Sequence, residues 1–558
     1  MPESNQIRTP EHAGPIVQRI KNVLKREIGE RSGVAVLNDK ADLTIELSIV
    51  PGMGTEGFRI EDGERQSIRI VGNDELGLFY GVGKFLRSSR YEQGSFIPGE
   101  WRGTSVPEAK IRGIFFATHF HNFYDDAPIE EIERYLEELV LWGYNAFSCV
   151  FDMFHYNGID DPWAQKVLRQ NHRLLSVAKS IGMKIGISSI ANESYKTSPE
   201  ELLANHDTGR WNYKLELCPS KPGAKELMLK QSDEEYRFFA DLELDYLWVW
   251  PHDSGGCACE KCWPWGAKGF PMMAEAISKV FRKYFPNGKI VLSTWLFDFL
   301  GEHEGEWKGL SDVLSTTQDW AHYLLVDSHG DFPKYPLEHG APGGLPMINF
   351  PEISMLAMVP WGGFGANPMP TLFQRLWRSV SHVIDGGYPY SEGIYEDINK
   401  VLIIQFYWKK DADARDALRE YIAYEFSPEI VDDVVEAVDI LEENSFRSWN
   451  NGDFGLPLER VVLPPDAGSE RAHRLLETAN SKLSPRARSS WRWRILYLRA
   501  LIDNELYKND GVPTPKCDEA FDELTRIYYA DEAVLNLKPP ARAVREESKN
   551  GSMKYVGF

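Results

Sequence analysis

The sequence predicts an α/β protein in which a (β/α)8 barrel is preceded by a small α/β domain and followed by an α-helical domain. After Arg112, short apolar strands alternate with amphipathic helices over about 300 residues, which is typical of such barrels. The strands read as continuous apolar runs, as parallel strands buried on both faces do. Beyond about residue 410 the helical patterns dominate. We therefore expect domains at residues 1–108, 109–409 and 410–558.

Eight segments are predicted to form the barrel strands. They span residues 113–120, 146–152, 184–192, 246–253, 289–298, 323–329, 346–352 and 388–397. Helical patterns such as "IEEIERYLEELVLWG" lie between them. A doubly wound open sheet is the rival architecture, but no glycine-rich phosphate turn follows the first strand. The barrel is therefore the favoured fold.

The segments before and after the predicted barrel have different hydrophobic patterns. Residues 14–105 combine an amphipathic helix with alternating runs such as "DLTIELSIV", and they close with a helix that Asn73 or Asp74 is expected to cap. After residue 410 come five helical stretches, from "ARDALREYIAYEF" to "CDEAFDELTRIYY". These patterns predict the α/β and α-helical domains on either side of the barrel.

The net charge and the start of the chain restrict partners and location. A formal charge of −21 argues against nucleic acid or an anionic membrane, because such partners require a concentrated basic surface. The start "MPESNQIRTPEHAG" lacks the regions of a signal peptide, so we expect a cytoplasmic protein unless a leader was removed. The 17 Trp and 24 Tyr favour a carbohydrate partner, since flat aromatic faces stack on sugar rings. A homo-oligomer is left open.

Polar residues stand at nearly every predicted strand end, where barrel enzymes place their active sites. They are His119 and His121 after strand one, Asp152 after strand two, Asn192 and Glu193 after strand three, His252 and Asp253 after strand four, Trp295 and Asp298 after strand five, Asp327 and His329 after strand six, Glu352 after strand seven, and Tyr390, Glu392, Glu396 and Asp397 on the last strand.

This ring of residues suits more than one function. Carboxyl groups on opposite strands suit glycosidic cleavage, in which one protonates the leaving oxygen and another attacks or activates water. The His119 and His121 pair suits a metal-dependent barrel hydrolase instead, but the fifth strand lacks the histidine that such a site needs. A non-catalytic sugar-binding protein is the third alternative. Glycosidic cleavage is favoured, and it requires no cofactor.

Four of the six cysteines are grouped. Cys257, Cys259 and Cys262 form a CxCxxC motif after strand four, and Cys218 falls in the loop after strand three, on the same face of the barrel. Four thiolates converging there would close a structural zinc site. The alternative is a set of reduced thiols packed against Trp263 and Trp265.

Several motifs resemble known carbohydrate-active families. "NDELGLFYGVGKFL" resembles the end of the α/β domain that precedes the barrel in family 20 hexosaminidases and family 67 α-glucuronidases. "CPSKPGAKELM", the His-Asp pair followed by CxCxxC, and "SEGIYEDINK" resemble the bacterial DUF4838 family, which includes the family 163 β-N-acetylglucosaminidases. The resemblance implies an exo-acting glycoside hydrolase that removes a terminal β-N-acetylhexosaminide or α-uronide.

The resemblance also implies roles for individual residues. The family 20 pattern has an Asp-Glu pair after strand four, where this chain has His252 and Asp253. The family 67 pattern has an acid after strand four and carboxylates after strands six and seven, where Asp253, Asp327 and Glu352 stand. "SEGIYEDINK" implies that Glu392 and Glu396 also face the pocket, although Glu396 is equally suited to pair with Lys400.

From these patterns we expect Asp253 to be the general acid, held protonated by the apolar surroundings of Trp248 and Trp250. Glu352 is the expected base or nucleophile, with Glu392 as its substitute. The residues expected to bind the sugar are His119, His121, Asn192, Glu193, His252, Trp295, Asp327, Tyr390 and Glu396.

Overall fold

The computed structural model describes most of the chain. The described residues are 5–37, 41–64, 66–118, 123–210, 214–301, 305–316, 319–328, 331–353, 367–445, 467–510, 512 and 514–527. No helix among them is long and apolar enough to cross a membrane.

The chain begins with a six-stranded mixed sheet backed by two helices. The elements are β1 (Asn5–Arg8), α1 (Pro15–Ser32), β2 (Val36–Leu37), β3 (Leu43–Ile49), β4 (Phe58–Asp62), β5 (Ser67–Gly72), α2 (Glu75–Ser88), the hairpin of β6 (Arg90–Glu92) and β7 (Ser95–Ile97), and β8 (Gly103–Ser105). The strand order in the sheet is β2-β1-β3-β5-β4-β8. The predicted α/β unit is therefore confirmed.

The start of α2 shows how its sequence specifies a helix end. The side chain of Asp74 accepts a hydrogen bond of 2.8 Å from Gly77 N, so Asp74 is the N-cap. The Asn73 side chain instead accepts hydrogen bonds from the main-chain N–H groups of Gly52 and Met53. One residue thus caps the helix, and its neighbour anchors the preceding loop.

Eight parallel strands close into the predicted barrel. They are β9 (Ile111–Phe116), β10 (Ala146–Val150), β11 (Lys184–Ile190), β12 (Tyr246–Trp250), β13 (Lys289–Ser293), β14 (Tyr323–Ser328), β15 (Met347–Pro351) and β16 (Ile384–Gly387), which β17 (Tyr390–Ser391) continues. Each strand pairs with the next, and β9 pairs with both β10 and β16, which closes the sheet. Every predicted strand overlaps an observed one, and the fold class is confirmed.

The last strand differs from its predicted bounds. It begins at Ile384 rather than at residue 388, and the helix that follows it begins at Asp397. The sequence pattern did not indicate a strand at "IDGG" because glycine disfavours strands in general. Here glycine is needed, since Gly386 has φ of +99° and a Cβ atom there would lie 1.8 Å from Ile111 O.

Helices surround the barrel and form the C-terminal part of the described chain. Those within the barrel region are α3 (Phe123–Asp126), α4 (Ile129–Trp142), α5 (Pro162–Ile181), α6 (Ala224–Phe238), α7 (Gly269–Tyr284), α8 (Glu306–Leu314), α9 (Lys334–His339), α10 (Pro370–Val380) and α11 (Asp397–Trp408). Those that follow are α12 (Ala414–Glu425), α13 (Val431–Ser445), α14 (Ser469–Lys482), α15 (Pro485–Ser489), α16 (Trp491–Lys508) and α17 (Pro515–Ile527).

Aromatic side chains fill the inside of the barrel. Trp248 is fully buried, stacks on Phe115 with ring centroids 5.1 Å apart, and meets the edge of Tyr388 at 4.6 Å. Phe350 packs edge-on against both Trp248 and Phe115. The interior is thus a packed core rather than a channel, and the carboxyl ends of the strands, where barrel proteins place their functional residues, lie above it.

Candidate active site

Asp253 lies just beyond β12 and is held by a tryptophan from the next strand. The indole Nε1 of Trp295 donates a hydrogen bond of 2.6 Å to Asp253 Oδ1. Trp250 packs against Trp295 with ring centroids 5.2 Å apart. Two tryptophans were expected beside Asp253. Trp250 contacts Trp295, which donates to Asp253, whereas Trp248 belongs to the barrel core beneath. The Asp253 side chain is only partly buried, so part of it stays accessible at the mouth of the barrel.

Tyr390 connects the seventh and eighth strands. It forms an isolated parallel bridge with Glu352, and its hydroxyl group donates a hydrogen bond of 3.1 Å to Glu392 Oε1. Burial raises the pKa of Tyr390 well above its ordinary value, and the negative charges of Glu392, Glu352 and Asp253 raise it further. All three expected catalytic carboxyl groups thus raise the pKa of Tyr390, although they come from opposite sides of the barrel.

Glu392 is almost completely buried beside other carboxyl groups. Burial raises its pKa well above the ordinary value, and the charges of Glu352 and Glu396 raise it further, against the hydrogen bond from Tyr390. Two neighbouring carboxyl groups in such a site do not both ionise near neutral pH. Burial and the neighbouring carboxyl groups therefore favour the protonated form of Glu392.

Asp327 is a second buried acid, at the end of β14. Burial raises its pKa to about 7, and hydrogen bonds from main-chain N–H groups, including that of Leu296, counteract the rise only in part. A carboxyl group with this pKa can exchange a proton near neutral pH.

His252 precedes Asp253 and has a strained backbone. Its φ of +70° lies in the left-handed region, which residues other than glycine rarely adopt and which recurs at functional sites. Its Nδ1 lies 3.4 Å from Glu216 Oε1 and 3.1 Å from Ser254 Oγ. The pKa of His252 is raised because Glu216 and two aspartates outweigh the lowering effect of burial.

Glu216 and Asp152 belong to this group; Asp152 was among the polar residues expected at strand ends but was given no role, and Glu216 was not predicted. His252 holds the pKa of Glu216 down to about 2, against the effect of burial. Burial raises the pKa of Asp152 to about 7, with His252 and Asp253 as its charged neighbours. Asp152 had a signal, since it stands at a strand end. Glu216 lies in a loop, where a buried glutamate has no distinctive pattern.

Asn192 and Glu193 brace loops around the site. Asn192 Nδ2 donates to Leu217 O at 3.1 Å, and Glu193 Oε1 accepts from Phe154 N at 3.1 Å. Both side chains are buried. Burial raises the pKa of Glu193 well above its ordinary value, and the nearby charge of Asp152 adds to this. These hydrogen bonds connect Glu193 to the loop that follows β10 and Asn192 to the loop that follows β11.

Glu396 contacts protein groups on the outer side of the last strand. Its Oε1 accepts from Ser391 Oγ at 2.6 Å and from Gly393 N at 3.2 Å, and it lies 3.8 Å from Lys400 Nζ. The pairing with Lys400 that the sequence allowed is thus present. Asp298, at the end of strand five, similarly accepts a hydrogen bond of 2.8 Å from Glu306 N at the start of α8.

His119 and His121 lie outside the described residues, as does His329. The remaining residues of the expected site are described, and they fall into two sets. One set lies at or just beyond the carboxyl ends of the barrel strands and consists of His252, Asp253, Trp295, Asp327, Glu352, Tyr390 and Glu392. The other set makes contacts to surrounding protein and consists of Asn192, Glu193 and Glu396.

The four grouped cysteines converge next to this site. One ligand atom from each of Cys218, Cys257, Cys259 and Cys262 lies within 4.8 Å of the others. All four are reduced, and Cys259 is the most accessible of them. Trp265 is fully buried nearby, and its Nε1 donates to Pro251 O at 3.0 Å.

No protein-family model and no curated protein matches the sequence. Solved structures of glycoside hydrolases share its fold. A family 89 enzyme from Clostridium perfringens, in complex with PUGNAc, matches with a TM-score of 0.65 and 13% identity over 97% of this chain and 72% of its own. A family 115 4-O-methyl-α-glucuronidase with specificity for decorated arabinogalactans matches with a TM-score of 0.62 and 12% identity, over 97% and 78%.

A family 20 β-N-acetylhexosaminidase from Streptomyces coelicolor matches with a TM-score of 0.51 and 14% identity, over 75% of this chain and 90% of its own. Similarity at this level of identity establishes the fold. The expected resemblance to glycoside-hydrolase barrels is therefore confirmed as an architectural one.

Proposed function

We propose that the protein is an exo-acting glycoside hydrolase that removes a terminal sugar of the β-N-acetylhexosaminide or α-uronide type. The observation that carries the proposal is the grouping of Asp253, Glu352 and Glu392 around Tyr390, whose hydroxyl group donates to Glu392 and whose pKa is raised by the charges of the other two. Carboxyl groups on opposite sides of a substrate are what glycosidic cleavage requires. The fold is shared with an α-glucuronidase and a β-N-acetylhexosaminidase, which supports both substrate types.

Asp253 is assigned as the general acid. It is partly exposed at the mouth of the barrel, and the Trp295 hydrogen bond fixes its orientation. A general acid must reach the leaving oxygen within hydrogen-bonding distance, so a fixed carboxyl group at the rim suits this task. Asp327, whose pKa is about 7, is the neighbouring group assigned to bind a sugar hydroxyl group or amide.

Glu352 is assigned as the base or nucleophile. It lies on strand seven, across the barrel from strand four, which carries Asp253. Burial favours the protonated form of Glu392, so we assign the ionised role that a base or nucleophile needs to Glu352. Tyr390 forms a bridge with Glu352 and donates to Glu392, and we assign it to position these carboxyl groups.

The activity test is a panel of aryl glycosides that includes β-N-acetylglucosaminide, α-glucuronide and furanosides. On the substrate that is turned over, Asp253→Asn and Glu352→Gln are each expected to lower kcat at least about 100-fold, because each removes a group used in the transition state. The control is Asp245→Asn, since Asp245 directly precedes the same strand at the opposite end of the barrel. Full turnover by both site variants would overturn the assignment.

A further inference from the structure

We propose that Cys218, Cys257, Cys259 and Cys262 bind one tetrahedral zinc ion, and that this ion clamps together the two loops that carry Glu216 and His252. The ligands come from two separate segments, one after β11 and one after β12. The metal site itself does not depend on the proposed glycosidase activity. Only its effect on turnover rests on that function.

The spacing of the sulfur atoms is that of a tetrahedral metal site. Cys218 Sγ lies 3.7 Å from Cys259 Sγ and 4.0 Å from Cys262 Sγ. Zinc–sulfur bonds of about 2.3 Å in tetrahedral geometry place sulfur atoms about 3.8 Å apart. A disulfide requires about 2.05 Å, so these distances belong to separate sulfur atoms. These two distances agree with a coordination tetrahedron, and all four sulfur atoms lie within 4.8 Å of one another.

Neighbouring donors favour thiolates over thiols. The main-chain N–H of Asn205 donates to Cys257 Sγ at 3.4 Å, and Ser220 Oγ lies 3.0 Å from Cys218 Sγ and 3.4 Å from Cys259 Sγ. Hydrogen-bond donors aimed at sulfur ligands are typical of metal–thiolate centres.

Simple packing of thiols explains these observations less well. Cysteines that serve only as small apolar side chains need no donors at their sulfur atoms, and they need not meet as a group of four. Cys149 and Cys517 show that arrangement, since each is fully buried away from the cluster. The grouped cysteines differ because two loops distant in sequence deliver their sulfur atoms to one point.

The nature of the ligands determines the ion and its role. Four soft thiolates select zinc or iron over calcium or magnesium, which prefer oxygen ligands. Four protein ligands leave no open position for substrate or water, so the ion is structural. Zinc is assigned because it accepts this geometry without redox chemistry.

The two loops also contact one another around the cluster. Ala258 N, in the loop after β12, donates to Asn205 O, in the loop after β11, at 2.8 Å. Within the loop after β11, Cys218 N donates to Leu202 O at 2.9 Å. Glu216 lies two residues before Cys218, and its partner His252 lies five residues before Cys257. A metal bridge between the loops would hold this ion pair in register, and Asp253 follows His252 directly.

The first experiment measures metal content. The full chain, expressed with zinc and kept reduced, is expected to contain about one zinc per chain by elemental analysis, and a mercurial reagent is expected to release it. The Cys259→Ser, Cys262→Ser double variant should lose that zinc, whereas the Cys149→Ser control should keep it. Cobalt substitution should give the thiolate charge-transfer and d–d bands of tetrahedral cobalt. Absence of stoichiometric metal after reconstitution, or full retention by the double variant, would overturn the proposal.

The second experiment tests the clamp. Removal of zinc by a chelator under reducing conditions is expected to lower the thermal midpoint by about 5 °C or more and to lower turnover with it, and added zinc should restore both. Metal content and thermal midpoint require no substrate, so they test the metal site even if the glycosidase assignment fails. A thermal midpoint that does not respond to bound zinc would overturn the clamp.

Discussion

Trp295 donates an indole hydrogen bond of 2.6 Å to Asp253, so strand five positions the carboxyl group that strand four delivers. The tryptophan is itself held by contacts with Trp250 and Phe350 in the barrel core. This arrangement makes the orientation of Asp253 depend on the packing of the barrel rather than on a mobile side chain.

Replacing Trp295 with phenylalanine should therefore reduce activity without unfolding the barrel. Trp295→Phe keeps an aromatic ring but removes the donor, and a hydrogen bond to an uncharged carboxyl group contributes about 0.5–1.5 kcal/mol, which predicts a loss in kcat of about 2- to 10-fold. Steady-state kinetics checks this. Trp320→Phe is the control, since the Trp320 N–H is buried and makes no hydrogen bond within the described part of the chain. Equal effects of the two variants would contradict the role given to Trp295.

Asp327 should make the stability of the protein depend on pH. Its folded pKa of about 7 lies above the ordinary value of 3.8, so its stabilising contribution is complete below pH 3.8 and is lost as pH rises through 7. Asp327→Asn cannot ionise, so its stability relative to the native chain should increase from pH 4 to pH 7 and then level off. At about 1.4 kcal/mol per pKa unit the full change is about 4 kcal/mol.

Thermal midpoints measured between pH 4 and pH 8 test this prediction. The exposed Asp411 provides a control substitution of the same chemistry, Asp411→Asn. A relative stability of Asp327→Asn that stays constant, or falls, as pH rises would show that Asp327 is ionised throughout in the folded protein.

The buried pair of Lys400 and Glu396 should be important for stability. Lys400 Nζ lies 3.8 Å from Glu396 Oε1 and donates to Tyr124 and Tyr135 hydroxyl groups at 2.9 and 2.7 Å. Lys400→Met leaves a buried carboxyl group unpaired, and such a change costs about 3–5 kcal/mol. Denaturant unfolding should show this loss, and adding Glu396→Gln should recover part of it.

A surface pair of the same type provides the comparison. Lys308 and Asp312 lie 2.6 Å apart on an exposed helix face, and Lys308→Met is expected to change the free energy of unfolding by less than about 1 kcal/mol. If Lys400→Met were as mild as Lys308→Met, the buried pair would have no special structural role.

Gly113 should tolerate no side chain. A Cβ atom there would lie 2.0 Å from the Tyr388 ring, which is packed in the barrel core. Gly113→Ala is therefore expected to lower the free energy of unfolding by about 1–3 kcal/mol or more. Gly158→Ala is the matched control, because a Cβ atom there meets nothing within 4 Å. Similar thermal midpoints for the two variants would contradict the close packing of Tyr388 on β9.

The sequence alone was sufficient for the barrel and for many residues at its mouth. Continuous apolar runs separated by helical periodicity are local patterns, and parallel strands in a closed barrel produce them directly. The alternation also predicted which ends of the strands carry Asp253, Asp327 and Glu352. The start of the last strand at Ile384 was missed because the requirement for glycine there comes from close contact with β9.

Only the tertiary structure decided how these residues associate. The Glu216 and His252 pair joins two loops, and closure of the barrel brings Asp253 into the electrostatic environment of Tyr390. Whether a carboxyl group meets a tyrosine, as Glu392 does, or a lysine, as Glu396 does, depends on the packing around it. Local sequence specifies periodicity and strand ends, whereas contacts between distant segments are set by barrel closure and side-chain packing.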